Sequence, residues 1–312
     1  MKRKQDVFLK TGKEAVMYDS VTFQIEEFSP EEFNHLTEYC IQETPKPLGD
    51  RLQIDWGNLR INYFPKTSII KVSNSLHKFY NGQILGLGAI NSNDYTMSNL
   101  TETVEYLELA FQRDCNEMKI LGRFEYGFNI VTGDYKPYAD IIERFQSVVT
   151  TATNPFNVFY NKSGKPYSKF CSFTHYTIKC YDKGKQSGLY GTNILRYEIV
   201  HKSSVKTKNV FGWKDISLAD LLKKEIWDKC YTVIMKSFDS IRVLAFPSDG
   251  IEAYTKTLCY SYSMLNKDFK KNLKPMMAEF KLVHDNLKES SSSPHSLIRK
   301  KMKEKFEKLI TT

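Results

Sequence analysis

Metal-binding histidine and cysteine patterns are missing from this chain of 312 residues. Its six histidines, at 35, 77, 175, 201, 284 and 295, form no H-x-H pair. Its six cysteines, at 40, 115, 171, 180, 230 and 259, form no C-x-x-C pair. This spacing argues against a zinc centre, and reduced thiols are expected. No apolar run approaches the ~20 residues of a membrane-crossing helix, and residues 1–10 are basic and polar with no apolar stretch after them. The chain is expected to stay in the cytoplasm of the cell that makes it and to have no membrane partner. A hydrophobic content of 41% fits a globular chain with a core of ordinary size.

What is present is positive charge, concentrated in one stretch. The net charge is +9. Residues 162–214 contain ten lysines and one arginine against Asp182 and Glu198, also +9, so the remainder is neutral. Such a block attracts a polyanion, and nucleic acid is the natural candidate.

The same stretch carries the clearest pattern in the chain. Residues 175–183, H-Y-T-I-K-C-Y-D-K, read as a strand with Thr177, Lys179, Tyr181 and Lys183 on one face and Ile178 and Cys180 on the other. After Gly184, Gly188 and Gly191, residues 194–202 form a second strand with Arg196 and Glu198 on one face, so the two make a long-looped hairpin. Upstream, residues 121–130 repeat the Arg-aromatic-Glu arrangement, with Arg123, Glu125 and Asn129 opposite Phe124, Tyr126 and Phe128. Glu125 and Glu198 can supply the hard oxygen ligands preferred by Mg²⁺ or Mn²⁺. His175 and His201 flank these strands, but packed or surface roles fit them better than ligation.

Taken in order, residues 17–25 read as a first strand. Ser29-Pro30-Glu31-Glu32 opens a helix, with serine as the cap and proline in the first turn. Residues 50–64 and 67–73 read as paired strands and 98–116 as an amphipathic helix. A second amphipathic helix is expected from Pro137 to Val149, followed by a turn-rich junction at 154–164. Residues 218–243 and 251–289 read as helix without sheet signals, 290–294 as a flexible break, and 297–310 as a short basic helix or frayed tail. The fold class expected is α+β, an antiparallel-sheet core with helices on one face and a helical C-terminal region. The expected regions are 1–214 (halves at about 15–150 and 151–214), 215–289 and 290–312.

Four segments in this order resemble the rolling-circle replication initiators of filamentous phages, the gene II type, and more distantly plasmid initiators. They are I-I-K-V-S-N-S-L-H-K-F-Y-N-G (69–82), R-F-E-Y-G-F (123–128), I-K-C-Y-D-K-G-K (178–185) and L-R-Y-E-I (195–199). The resemblance implies a nickase core in which Tyr181 attacks a DNA phosphodiester, leaving a 5′-phosphotyrosyl link and a free 3′-OH. Lys183 and Lys179 would favour the phenolate, and Glu125 and Glu198 would bind a divalent metal. Arg123, Arg196, Lys185, Lys202, Lys206 and Lys208 would face DNA. The implied partners are origin DNA, single-stranded or supercoiled duplex, and a host helicase and polymerase, in the cytoplasm of a bacterial cell. Tyr176 and Tyr190 are candidates for a second tyrosine. A DNA-binding regulator that does not cut is the alternative reading.

Overall fold

The computed structural model describes residues 18–39, 44–150, 153–189, 191–212, 215–246, 249–290 and 293–310. The strands are β1 (Tyr18–Ile25), β2 (Lys46–Leu48), β3 (Arg51–Trp56), β4 (Leu59–Phe64), β5 (Ile69–Ser75), β6 (Lys119–Val131), β7 (Phe145–Val149), β8 (Thr153–Pro155), β9 (Asn157–Tyr160), β10 (Pro166–Ser172), β11 (Tyr176–Asp182), β12 (Ile194–His201) and β13 (Ile241–Val243). Ten of them form one large antiparallel sheet in the order β2-β3-β4-β5-β1-β6-β12-β11-β10-β9, and β13-β7-β8 form a second. With its helices and helical C-terminal region, the chain has the α+β architecture expected from the sequence.

By contact density the chain divides into two compact units, and β6 and β12 each run out of one into the other. Among described residues the first comprises those up to Gly127, Ile199–Tyr231 and those from Phe306 on; the second comprises Phe128–Glu198 and Thr232–Lys305. In the first unit, Ser29 caps the helix Pro30–Tyr39 reciprocally. Its Oγ accepts from the Glu32 amide at 3.1 Å, and its own amide donates to the Glu32 carboxylate at 2.7 Å. The run expected as one strand at 50–64 is two, because Gly57, at φ +58°, turns the chain between β3 and β4. Phe33 and Leu36 of this helix and Leu100, Val104, Leu107 and Phe111 of the helix Met97–Phe111 are buried with Phe23, Ile61 and Val72.

In the second unit the expected helix from Pro137 to Val149 is not formed. Its first turns are irregular helix, Pro137–Ile141 and Ile142–Arg144, and Phe145–Val149 is a strand whose Val148 pairs with Ile241 and Asn154. Apolar residues at 141, 142, 145, 148 and 149 satisfy a helical period. The β-branched pair Val148-Val149 and two available partner strands decide the outcome. The 154–164 junction also holds strand, since β9 pairs with β10 around a turn at Asn161. Residues 218–243 end in β13 rather than continuing as helix. Between 251 and 289 the helix breaks after Leu265 and again around Pro275. The basic tail is the helix Pro294–Ile310, docked through buried Ile298, Met302 and Phe306 at four-residue spacing. Of the expected break at 290–294, residues 291 and 292 lie outside the described residues. Among described residues no helix is long and apolar enough to cross a membrane. The cysteines at 115, 171, 180, 230 and 259 are free thiols, and Cys40 lies outside the described residues.

Gly184 follows β11 in the loop toward β12, at ordinary negative φ. A Cβ there would lie 2.2 Å from the Thr192 carbonyl oxygen, so glycine is required by close approach rather than by turn geometry. Gly184→Ala should destabilise the protein by about 1–3 kcal/mol, the usual cost of overpacking, read as a lower urea midpoint at unchanged slope.

Burial holds His201, His284 and His295 toward the neutral ring. Burial pushes His201 and His295 down to about 3 and His284 to about 4. Each folded-state value is below that of the unfolded chain, so their contribution to stability is present above pH ~6.5 and is lost as the pH falls toward the folded values. His201→Gln should make the fall in unfolding free energy between pH 6 and pH 4 shallower by about 1.4 kcal/mol per pH unit, measured by urea titrations at a series of pH values.

Candidate active site

The hairpin expected at 175–202 is formed by β11 and β12, adjacent in the large sheet. All eight residues of β12 are buried, including Arg196 and Glu198. A buried carboxylate is tolerated only with donors around it, and Tyr181, Arg196 and Lys179 are among those at Glu198. Tyr181 Oη donates to its Oε2 at 3.1 Å, Arg196 Nε to the same oxygen at 2.5 Å, and Lys179 Nζ lies 3.2 Å from Oε1. Arg196 also donates to Asn129 Oδ1 at 3.1 Å. Thus the sequence pattern brings together Tyr181, Lys179, Arg196 and Glu198. Arg196, expected to face DNA, is instead buried and aimed at the carboxylate.

Lys183 departs from the expected alternation, because β11 ends at Asp182 and residues Lys183–Gln186 form a helical turn. Asp182 caps it, its Oδ1 accepting from the Lys185 amide at 3.0 Å. Lys183 is buried, with Nζ 2.9 Å from Gln186 Oε1 and 5.8 Å from the centroid of the Tyr181 ring. Its positive charge stays beside the phenol by a different route from the one expected.

In the first unit, β1 carries an acid that sequence reasoning missed. Tyr18 pairs with Tyr126 and Val21 with Phe124, three residues advancing on β1 for two on β6. That extra residue is a bulge, and it leaves Tyr18, Asp19, Ser20 and Val21 all buried. The Asp19 carboxylate is held by the Ser75 hydroxyl and by Asn91 Nδ2, at 2.9 and 3.1 Å from its two oxygens. Arg123 Nε donates to Glu125 Oε1 at 2.9 Å, with Glu125 buried and Arg123 59% exposed. Asp19 and Glu125 in this unit, and Glu198 in the second, are buried acids that each offer a carboxylate oxygen. Buried carboxylates can bind a divalent cation, and oxygen ligands suit Mg²⁺ or Mn²⁺. An aspartate interrupting an apolar strand, M-Y-D-S-V-T-F, was the available signal for Asp19.

His175 is exposed, and both nitrogens of His201 are used, at 3.1 Å from Tyr126 Oη and 3.0 Å from Thr207 Oγ1. Tyr176 stacks on Phe173, with centroids 4.3 Å apart, and its hydroxyl is pushed up by burial. Tyr190 lies outside the described residues.

Lys169 turns inward, its Nζ donating to the carbonyls of Glu143 and Phe145 at 2.9 and 2.8 Å, and burial pulls it down to about 8. Lys185 reaches Asp182 at 3.6 Å. Lys202 and Lys208 are exposed, and Lys206 is half-buried and lowered by burial.

No family model and no curated protein matches this chain. Among solved structures, it is similar to one described as a rolling circle replication initiator protein from Geobacillus stearothermophilus, at 13% identity and a TM-score of 0.42, over 74% of this chain and 87% of that one. A likeness at that score carries no argument about function, which rests on the residues themselves.

Proposed function

We propose that the chain is a rolling-circle replication initiator that nicks and rejoins one DNA strand through Tyr181. The observation that carries this reading is the hydroxyl of a buried tyrosine donating to Glu198, a buried carboxylate also met by Lys179 and Arg196. The four motif segments described above add support. A phenol of ordinary pKa is a poor nucleophile at neutral pH, so its proton must have somewhere to go. Glu198 Oε2 is aligned to receive it, and the charges of Lys179 and Lys183 favour the phenolate.

Attack by the phenolate oxygen forms the Tyr181 O–P bond and breaks the bond from phosphorus to the 3′ oxygen, which leaves as a 3′-OH after taking up a proton. Reversal by a 3′-OH regenerates the tyrosine, so rejoining needs no nucleotide. Asp19, Glu125 and Glu198 would hold Mg²⁺ or Mn²⁺, which supplies positive charge at the scissile phosphate. Arg123, Lys185, Lys202, Lys206 and Lys208 are proposed as DNA contacts, and the 3′-OH suits a host polymerase working with a helicase in a bacterial cytoplasm. All these residues fall within 1–214, which we take as the catalytic region, ahead of a helical region (215–289) and a basic tail (290–312).

A second reading has its own observation. Lys179 and Arg196 already compensate Glu198, so the cluster can stand as a closed structural network in a DNA-binding protein that does not cut.

Tyr181→Phe removes one oxygen from the site. It should lower nicking of supercoiled origin DNA by at least about 10³-fold while leaving origin binding within about twofold of wild type. Unchanged cutting by this variant would eliminate Tyr181 as the nucleophile, and no cutting by wild type with Mg²⁺ or Mn²⁺ would favour the regulator.

Asp19→Asn keeps the volume and removes the charge. Calorimetric titration with Mn²⁺ should show roughly tenfold or weaker binding in Asp19→Asn and in Glu125→Gln, with melting temperature nearly unchanged. Mn²⁺ affinity equal to wild type in both would move the metal away from these acids.

A further inference from the structure

The hairpin β9–β10 lies in the second unit and has no role in the chemistry above. From Arg144 to Tyr181 the sequence contains no Asp or Glu, against Arg144, Lys162, Lys165, Lys169 and Lys179. Its tip is tightly built: Asn161 Oδ1 accepts from the amides of Ser163 and Lys165 at 3.0 and 2.8 Å, leaving Lys162 and Lys165 exposed. Two aromatic rings stand out on β9, Phe159 at 48% exposure and Tyr160 at 61%. Phe159 stacks on Phe170 of β10, with centroids 4.5 Å apart and planes 28° from parallel.

The register connects these rings to the tyrosine. Phe159 is opposite Ser168, Ser168 opposite Tyr181, and Phe170 opposite Lys179. Residues directly opposite in antiparallel strands share a face, so Phe159, Phe170, Lys179 and Tyr181 lie on one side of the sheet. The other side is closed: Ile178, Cys180 and Cys171 are fully buried there, and Lys169 is tied to the segment at Glu143 and Phe145. On the shared face Tyr181 and Ser168 are buried, Lys179 and Phe170 are partly exposed, and Phe159 at the outer strand is exposed. Phe159 is two strand spacings, about 10 Å, from Tyr181. That span is about three nucleotides at the rise of one strand of a duplex, and fewer when the strand is extended.

We infer that Phe159 and Phe170 form a stacking platform for the bases of single-stranded nucleic acid, with Lys162 and Lys165 on its phosphates, leading outward from Tyr181. Aromatic faces take up unpaired bases and are closed to the stacked bases of an intact duplex, and the run of residues 144–181, which holds basic residues but no acidic ones, favours a polyanion. The inference rests on the nickase reading for its position next to Tyr181.

The test is equilibrium binding of a short fluorescein-labelled oligodeoxythymidylate, and of a duplex of equal length, to the full chain in EDTA, where nothing is cut. Phe159→Leu, which stays apolar but cannot stack, should bind the single strand about tenfold more weakly, with its salt dependence unchanged and its duplex binding close to wild type. Phe159→Trp should bind the single strand at least as tightly as wild type. Lys162→Gln with Lys165→Gln should flatten the slope of log K against log salt by about 1.4, or ~0.7 per phosphate contact on a single strand. Wild-type affinity in Phe159→Leu, equal losses on duplex and single strand, or a dimer in sedimentation that Phe159→Leu dissociates would each overturn the platform. The two readings separate cleanly. Phe159-dependent binding by a wild-type protein that never cuts keeps the platform and removes the nickase, whereas Tyr181-dependent cutting with normal binding by Phe159→Leu does the reverse.

Discussion

The carboxylate of Glu198 is the constraint around which the second unit is arranged. It sits on a strand with no exposed residue, so its charge has to be met within the protein. Tyr181 and Lys179 meet it from the same face of β11, and Arg196 from two residues away on its own strand. Sliding β11 by one residue would turn Tyr181 and Lys179 to the covered face and leave the acid without them. The pairing of these strands is thus specified by electrostatics as well as by the apolar packing of Ile178 and Cys180.

Asp19 is handled differently. Its oxygens receive hydrogen bonds from the neutral groups of Ser75 and Asn91, where Glu198 receives two cations and a phenol. Neutral donors orient a carboxylate without themselves cancelling its charge. The bulge in β1 makes this orientation possible, and it interrupts the alternation that the rest of the strand keeps.

Much of this was legible from residue order alone. Period-2 alternation with charged residues on one side identified β6, β11 and β12, and with them Glu125, Tyr181 and Glu198. Asp19 was hidden because a bulge breaks the period on which such readings depend. The segment from Pro137 to Val149 fits a helical period and a strand equally well over its last five residues, and only partners distant in sequence, such as Ile241, resolve the choice. β9 and β10 were obscured by turn residues at Asn161 and Gly164, and with them the pairing of Phe159 with Phe170. The terminal helix looked like a solvated tail because lysines outnumber the apolar residues that dock it.

Among the described residues, the large sheet ends in its two shortest strands. β2 has three residues, all exposed, with a lysine at 46 and a proline at 47 that lacks an amide hydrogen to offer a neighbour. β9 has four and gives way to a lysine-bearing turn. Long unpaired strand edges recruit further strands from other chains, and short margins carrying proline and positive charge discourage it. A sheet of ten strands is therefore guarded at both of these margins against growing into a fibre, which lets the chain keep aromatic rings exposed at one of them without becoming prone to aggregate there.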